Sequence, residues 1–238
     1  MFGFGKVTRE AAAQALADGL RTGDFRAAVK QYRKLAEQHP DDHKVHHDLG
    51  FALLEAGDTA GAVGSLRRAN ELQESPIQWN NLGRALLRQR EFGEAKRAFQ
   101  RARDLDGSDP QPWYNLTVAL REEGDTEGSF RELGTLCAAH PRHAGSRNDL
   151  ATHYLMRGQR DMAAEQLRSA IDANPDYAPA RLNLIRLLCE AGRYPDSTEH
   201  LEHLAKLGAN VVVSAKDGKV EIVLNGKMFY RGTYTPPG

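Results

Sequence analysis

The chain has 238 residues, 40% hydrophobic and 27% charged, which is enough for a sizeable core and one or two domains. Its 32 Lys and Arg balance 32 Asp and Glu, so it lacks the basic surplus that a nucleic-acid partner requires. No apolar run reaches membrane-spanning length, and the two cysteines, Cys137 and Cys189, are too few for a disulfide framework or a Cys-based metal site. They read as small buried residues of a reducing, cytoplasmic compartment.

Residues 1–7 read as a loose N-terminal tail carrying Phe2 and Phe4, without a secretory signal. A first helix pair is expected over 8–41, opening with an Ala-rich helix from Glu10 to Leu20 and continuing with Phe25, Ala28, Tyr32 and Leu35 before Pro40. Over 42–75 come His46, Leu49, Gly50 and Leu53, then Ala62, Leu66 and Ala69. The segments 76–109 and 110–142 open on Ser75-Pro76 and Asp109-Pro110. Each places a capping side chain before a proline in the first helical position, where no N–H is missed. The segments 143–177 and 178–207 keep the same Leu, Gly and Ala or Ser slots.

These segments share one frame. Trp79-Asn80-Asn81-Leu82-Gly83 returns as Trp113-Tyr114-Asn115-Leu116-Thr117, and 113 − 79 = 34. Backward and forward the frame reaches Leu49-Gly50, Leu150-Ala151 and Leu184-Ile185. The turn between paired helices falls at Gly23, Gly57, Gly124, Gly158 and Gly192, with Arg90 the exception. A small residue follows at Ala28, Ala62, Ala95, Ser129, Ala163 and Ser197. Small residues let paired helices approach closely, and the apolar stripe that one pair leaves open is buried by the next. The order W-x2-L-G, A-x3-F, P at this period resembles the tetratricopeptide repeat family. The resemblance implies an all-α fold: a right-handed α-solenoid of about six helix-turn-helix units over 8–207.

After Leu207 the pattern changes. Val211 to Ala215, Val220 to Leu224 and Lys227 to Tyr234 read as strands, joined by Asp217-Gly218 and Asn225-Gly226. A three-stranded antiparallel β-meander is expected within 208–238, ending in a Pro-containing tail. The turns set Val213 opposite Ile222 and Ile222 opposite Phe229. One face then holds Val211, Val213, Ala215, Val220, Ile222, Leu224 and Phe229, the other Val212, Val223, Met228 and Tyr230. The first face suits a cap on the last helices through Leu201, Leu204 and Leu207; a docking site for a partner or a second copy is the alternative.

No phosphate loop, nucleophile elbow or H-E-x-x-H helix is present, and neither a catalytic centre, a cofactor nor a metal is expected. His43, His46 and His47 share one helical turn, but His46 occupies the Trp79 slot and the three read as packed or solvated side chains. The residue before each first-helix Leu runs Gln14, Asp48, Asn81, Asn115, Asp149, Asn183. The resemblance implies that this column faces a concave groove and contacts the backbone of an extended peptide, as does the asparagine ladder of O-linked N-acetylglucosamine transferase. Family consensus explains the column equally well. Helical spacing adds Phe51, Asn80, Arg84, Tyr114, Arg121, Asn148 and Thr152 to the same wall, and Arg186 lies on that side. The expected activity is non-enzymatic: a protein-interaction scaffold holding a peptide or protein partner. The alternative is a self-assembling protein that forms a homo-oligomer through the C-terminal sheet or the first repeat.

Overall fold

The computed structural model describes residues 7–233, so the expectations for Phe2, Phe4 and the Pro-containing tail lie outside the described residues. The chain forms two compact units divided after Glu132, within one helix. Twelve α-helices and three strands lie among the described residues.

The first unit contains α1 (Arg9–Thr22), α2 (Arg26–Gln38), α3 (His43–Glu55), α4 (Thr59–Leu72), α5 (Pro76–Arg88), α6 (Phe92–Leu105), α7 (Pro110–Glu123) and the start of α8 (Thr126–Ala139). Most of its helices begin where side-chain oxygens accept orphan N–H groups, α2 and α6 being the exceptions. Ser75 caps Gln78 and Asp109 caps Gln111, each with Pro in the first turn, and Asp42 caps Lys44 and Val45. The turns within the pairs need a left-handed residue. Gly23, Gly57 and Gly124 supply it at φ 79°, 88° and 99°, and Arg90 adopts φ 64° in the same place.

The pairs close on the small slots. A Cβ on Gly50 would lie 2.5 Å from Leu66 Cγ, and one on Gly83 would lie 2.5 Å from Phe99 Cε1. Where the slot is Thr117, its main-chain oxygen accepts from Ser129 Oγ at 3.0 Å. One core runs through this unit, from Ala12, Tyr32 and Leu35 by Leu53, Leu66 and Leu86 to Phe99 and Leu116. Val7, expected in the tail, packs partly buried against it.

The second unit holds the rest of α8, then α9 (Ala144–Met156), α10 (Arg160–Ala173), α11 (Ala178–Glu190), a 3-10 turn at Tyr194–Ser197 and α12 (Thr198–Lys206). Gly158 and Gly192 turn its pairs at φ 72°. The strands β1 (Val211–Lys216), β2 (Lys219–Leu224) and β3 (Lys227–Thr233) form an antiparallel sheet in the order β1-β2-β3. Both two-residue loops have positive φ throughout, 54° and 71° at Asp217-Gly218 and 51° and 77° at Asn225-Gly226, the geometry that suits twisted hairpins.

The β1–β2 register is the expected one, with Val213 opposite Ile222. The β2–β3 register differs: Ile222 faces Tyr230, Val223 faces Met228, and a bulge lies between. The bulge accommodates Phe229 as an extra residue, so Tyr230 joins the inner face instead of the outer one. Val220 and Ile222 are fully buried against Ile185, Cys189, Leu201 and Leu204, and Tyr230 Oη donates to the Cys189 carbonyl at 2.9 Å. Burying two such side chains contributes about 3 to 6 kcal/mol, which a free three-stranded sheet could not collect. Leu207, expected in this contact, is 45% exposed because α12 ends before it.

Candidate functional site: the polar face of the first helices

Each pair's first helix carries two stripes. On α5, Leu82 and Leu86 point into the core, while Asn80, Asn81 and Arg84 form a polar stripe beside them. The column is present, but its amides are spent in a way the spacing did not reveal. In three places the column residue donates Nδ2 to the side chain one position earlier in the preceding repeat. Asn81 reaches His47 Nε2 at 3.1 Å, Asn115 reaches Asn80 Oδ1 at 2.8 Å, and in the second unit Asn183 reaches Asn148 Oδ1 at 2.8 Å. One geometry recurs with the repeat, and it ties first helix to first helix.

Neighbouring bonds fix the amides further. Asn81, 8% exposed, accepts from Arg84 Nη1 at 3.2 Å, and Arg84 Nη2 reaches Glu55 Oε1 at 2.8 Å. Asn115 accepts from Gln111 Nε2 at 3.0 Å. Asp48 pairs with His47 Nδ1 at 2.9 Å, and burial together with Asp48 pushes the Tyr32 hydroxyl well above its ordinary pKa. Asn148 Nδ2 donates to Asp149 Oδ1 at 3.3 Å, and Thr152 Oγ1 donates back to the Asn148 carbonyl at 3.1 Å.

The first unit thus brings Asp48, Asn80, Asn81, Arg84 and Asn115 into one network, with Tyr114 half-buried next to Asn115. Phe51 stands edge-on to Phe25 at 6.5 Å, and Arg121 is exposed. The second unit brings together Asn148, Asp149, Thr152 and Asn183. Arg186 is turned elsewhere: its guanidinium lies 5.4 Å above the Phe229 ring on the sheet.

The histidines that share one turn of α3 have structural partners. His43 Nδ1 bonds Gln78 Nε2 at 2.9 Å, and His46 Nε2 bonds the Pro40 carbonyl at 2.9 Å. The Trp79 slot holds Arg147 and Arg181 in later repeats, and both make the His46 contact in kind. Arg147 Nε donates to Pro141 at 2.6 Å and Arg181 Nε to Pro175 at 2.7 Å, each to the carbonyl six residues back. Burial, then Arg181, pushes the His200 pKa below its ordinary value.

A cleft outside the predicted stripe was not foreseen. A cleft of about 660 Å³ lies between α4 and α6 on the opposite face of α5, floored by Trp79, Leu82 and Leu86 and edged by Arg67 and Glu94, paired at 2.6 Å. Asn70 Oδ1 at its wall accepts no hydrogen bond among the described residues. The signal lay in the pairing of a large Trp79 with the small Ala98 across it.

Comparison with known proteins agrees with this architecture. Residues 4–219 match the family model for the cilia and flagella-associated protein 70 C-terminal domain, a tetratricopeptide repeat model. The TPR repeat-containing protein PA4299 of Pseudomonas aeruginosa is 36% identical over 119 residues, 49% of this chain and 47% of that protein. The tetratricopeptide repeat-containing protein trd-1 of Caenorhabditis elegans is 22% identical over 203 residues, 84% of this chain and 25% of that protein. The chain therefore matches a half or less of these relatives' length. Among solved structures, MamA superposes with a TM-score of 0.60 at 22% identity, covering 68% of this chain and 96% of that one. YrrB, described as a TPR protein with an unusual peptide-binding site, gives 0.54 at 20% identity, covering 69% and 86%. The chain belongs to the tetratricopeptide repeat family represented by the cilia and flagella-associated protein 70 C-terminal domain.

Proposed function

We propose that this chain is a non-enzymatic scaffold that holds an extended segment of a partner protein against its first-helix face. The observation that carries the reading is the Asn80–Asn115 pair. Asn80 Oδ1 accepts from Asn115 Nδ2 at 2.8 Å, and the Asn80 amide protons stay spare at a half-buried position of the same polar stripe. Two side-chain amides held in register, with spare donors on Asn80, suit the carbonyls and side chains of an extended peptide. The networked column supports this use, because binding then orders few protein side chains. YrrB offers a precedent in its described peptide-binding site. No described helix is long and apolar enough to cross a membrane. A cytoplasmic setting is part of the proposal, and the two buried thiols, Cys137 and Cys189, are compatible with it.

The test is Asn80→Asp. A carboxylate still accepts from Asn115, so the bond between repeats survives, but the spare donors are gone. With a photo-reactive phenylalanine analogue at position 114 recording capture in cells, the variant loses the captured proteins at unchanged melting temperature. A photo-reactive residue at Gln100 on α6 serves as the control. Capture undiminished by Asn80→Asp rules the reading out.

A further inference from the structure

The sheet has two edges of different character. β3 contains the bulge and carries Lys227 and Arg231, features that discourage strand addition. β1 reads Val-Val-Val-Ser-Ala before Lys216, with no proline, charge or bulge in those five residues. Val212 is 55% exposed and Val213 36%. Natural edges of this kind are a template for another strand.

The main chain shows which groups are on offer. Asn225 N–H donates to the Asn210 carbonyl at 2.8 Å, and the two-residue turn closes on the pair Lys216 and Lys219. Both fix the alternation: Asn210, Val212, Ser214 and Lys216 spend their main-chain groups on β2. The N–H and C=O of Val211, Val213 and Ala215 therefore point out of the sheet. Among the described residues they bond to no other part of the chain. Beside them lies a hollow of about 270 Å³ between β1 and α12, walled by Val211, Val213, Leu201 and Ala205.

We propose that two copies of the chain pair antiparallel through the β1 edge about a two-fold axis at Val213, making one continuous sheet. The argument for a second copy is the register. With Val213 opposite its own copy, Val211 meets Ala215 and Ala215 meets Val211, so all three residues with outward main-chain groups form hydrogen-bonded pairs together. Val212 meets Ser214, and Lys216 meets Asn210, so no like charges oppose each other. The interface is independent of the first-helix face and of the partner held there.

Light scattering on the full chain across roughly 1 to 200 μM tests this, the range over which a small interface shows its midpoint. The mass rises from 26.3 kDa toward about twice that value. Val213→Pro removes the central outward N–H while leaving every β2 bond, and an edge strand tolerates it; the variant stays monomeric with an unchanged far-ultraviolet spectrum. Should that spectrum change, Val213→Cys decides. Hydrogen-bonded Cα atoms about 5.5 Å apart are within disulfide reach, so it gives a reducible covalent dimer, whereas Lys216→Cys does not. A wild-type chain that is monomeric throughout, a folded proline variant that still dimerises, or a Val213→Cys chain that fails to cross-link overturns the proposal. A strand from another protein seated on β1 instead is the outcome of the first case.

Discussion

Asn115 donates its Nδ2 to Oδ1 of Asn80 at 2.8 Å, 35 residues earlier in the chain. The bond makes the column a structural element as well as a surface, since the rungs Asn81, Asn115 and Asn183 are each held by the repeat before them. Removing a rung therefore has a cost in stability. Asn81→Ala strips the partner from His47 and from Arg84 in a site 8% exposed, and the expected loss is about 1 to 2 kcal/mol. Thermal unfolding reads this as a fall of roughly 2 to 8 °C, while Asn80→Asp leaves the midpoint unchanged.

The glycines divide by what surrounds them. Gly83→Ala drives a Cβ to 2.5 Å from the Phe99 ring and is expected to cost about 1 to 3 kcal/mol. Gly64→Ala in α4 and Gly134→Ala in α8 meet open space and are expected to gain about 0.5 to 1 kcal/mol each. Denaturant midpoints of the three variants give opposite signs if the close-packing account is right.

Arg90 holds a left-handed turn that the other pairs give to glycine, at φ 64°. Arg90→Gly relieves about 1 to 2 kcal/mol of backbone cost. It forfeits the guanidinium over Phe92 at 5.2 Å, an exposed contact of about 0.5 to 1 kcal/mol. The net expectation is a gain of under about 1.5 kcal/mol, whereas Arg90→Val loses stability; chemical denaturation separates the two.

His200 titrates below its ordinary value when folded, from burial first and then Arg181 at 3.1 Å. A histidine with a lowered folded pKa binds fewer protons folded than unfolded, so stability rises with pH across its titration. The contribution is complete above the unfolded pKa and falls as pH drops through it toward the folded one. Unfolding measured from pH 7.5 to 5.5 shows a steeper decline for the wild-type chain than for His200→Gln.

The turns and small slots were legible because they depend on local geometry. A left-handed φ favours glycine, so Gly57 and Gly124 marked their turns, and Arg90 could be placed by spacing alone. What was illegible depended on partners. The column was found as a stripe, but its bonds run to the residue one place earlier in the preceding repeat, a matter of side-chain direction that no period displays. Arg186 followed the stripe by spacing and was drawn to Phe229 by a sheet that the repeat frame does not contain. The β2–β3 register failed for a similar reason, since a bulge inserts a residue without altering the turn.

The most direct test of the scaffold account is amide NMR on the chain titrated with the segment recovered by capture at position 114. Shifts centred on Phe51, Asn80, Tyr114 and Asn115 are predicted. Shifts confined to Arg67, Glu71 and Arg97, which line the α4–α6 cleft on the opposite face of α5, contradict it.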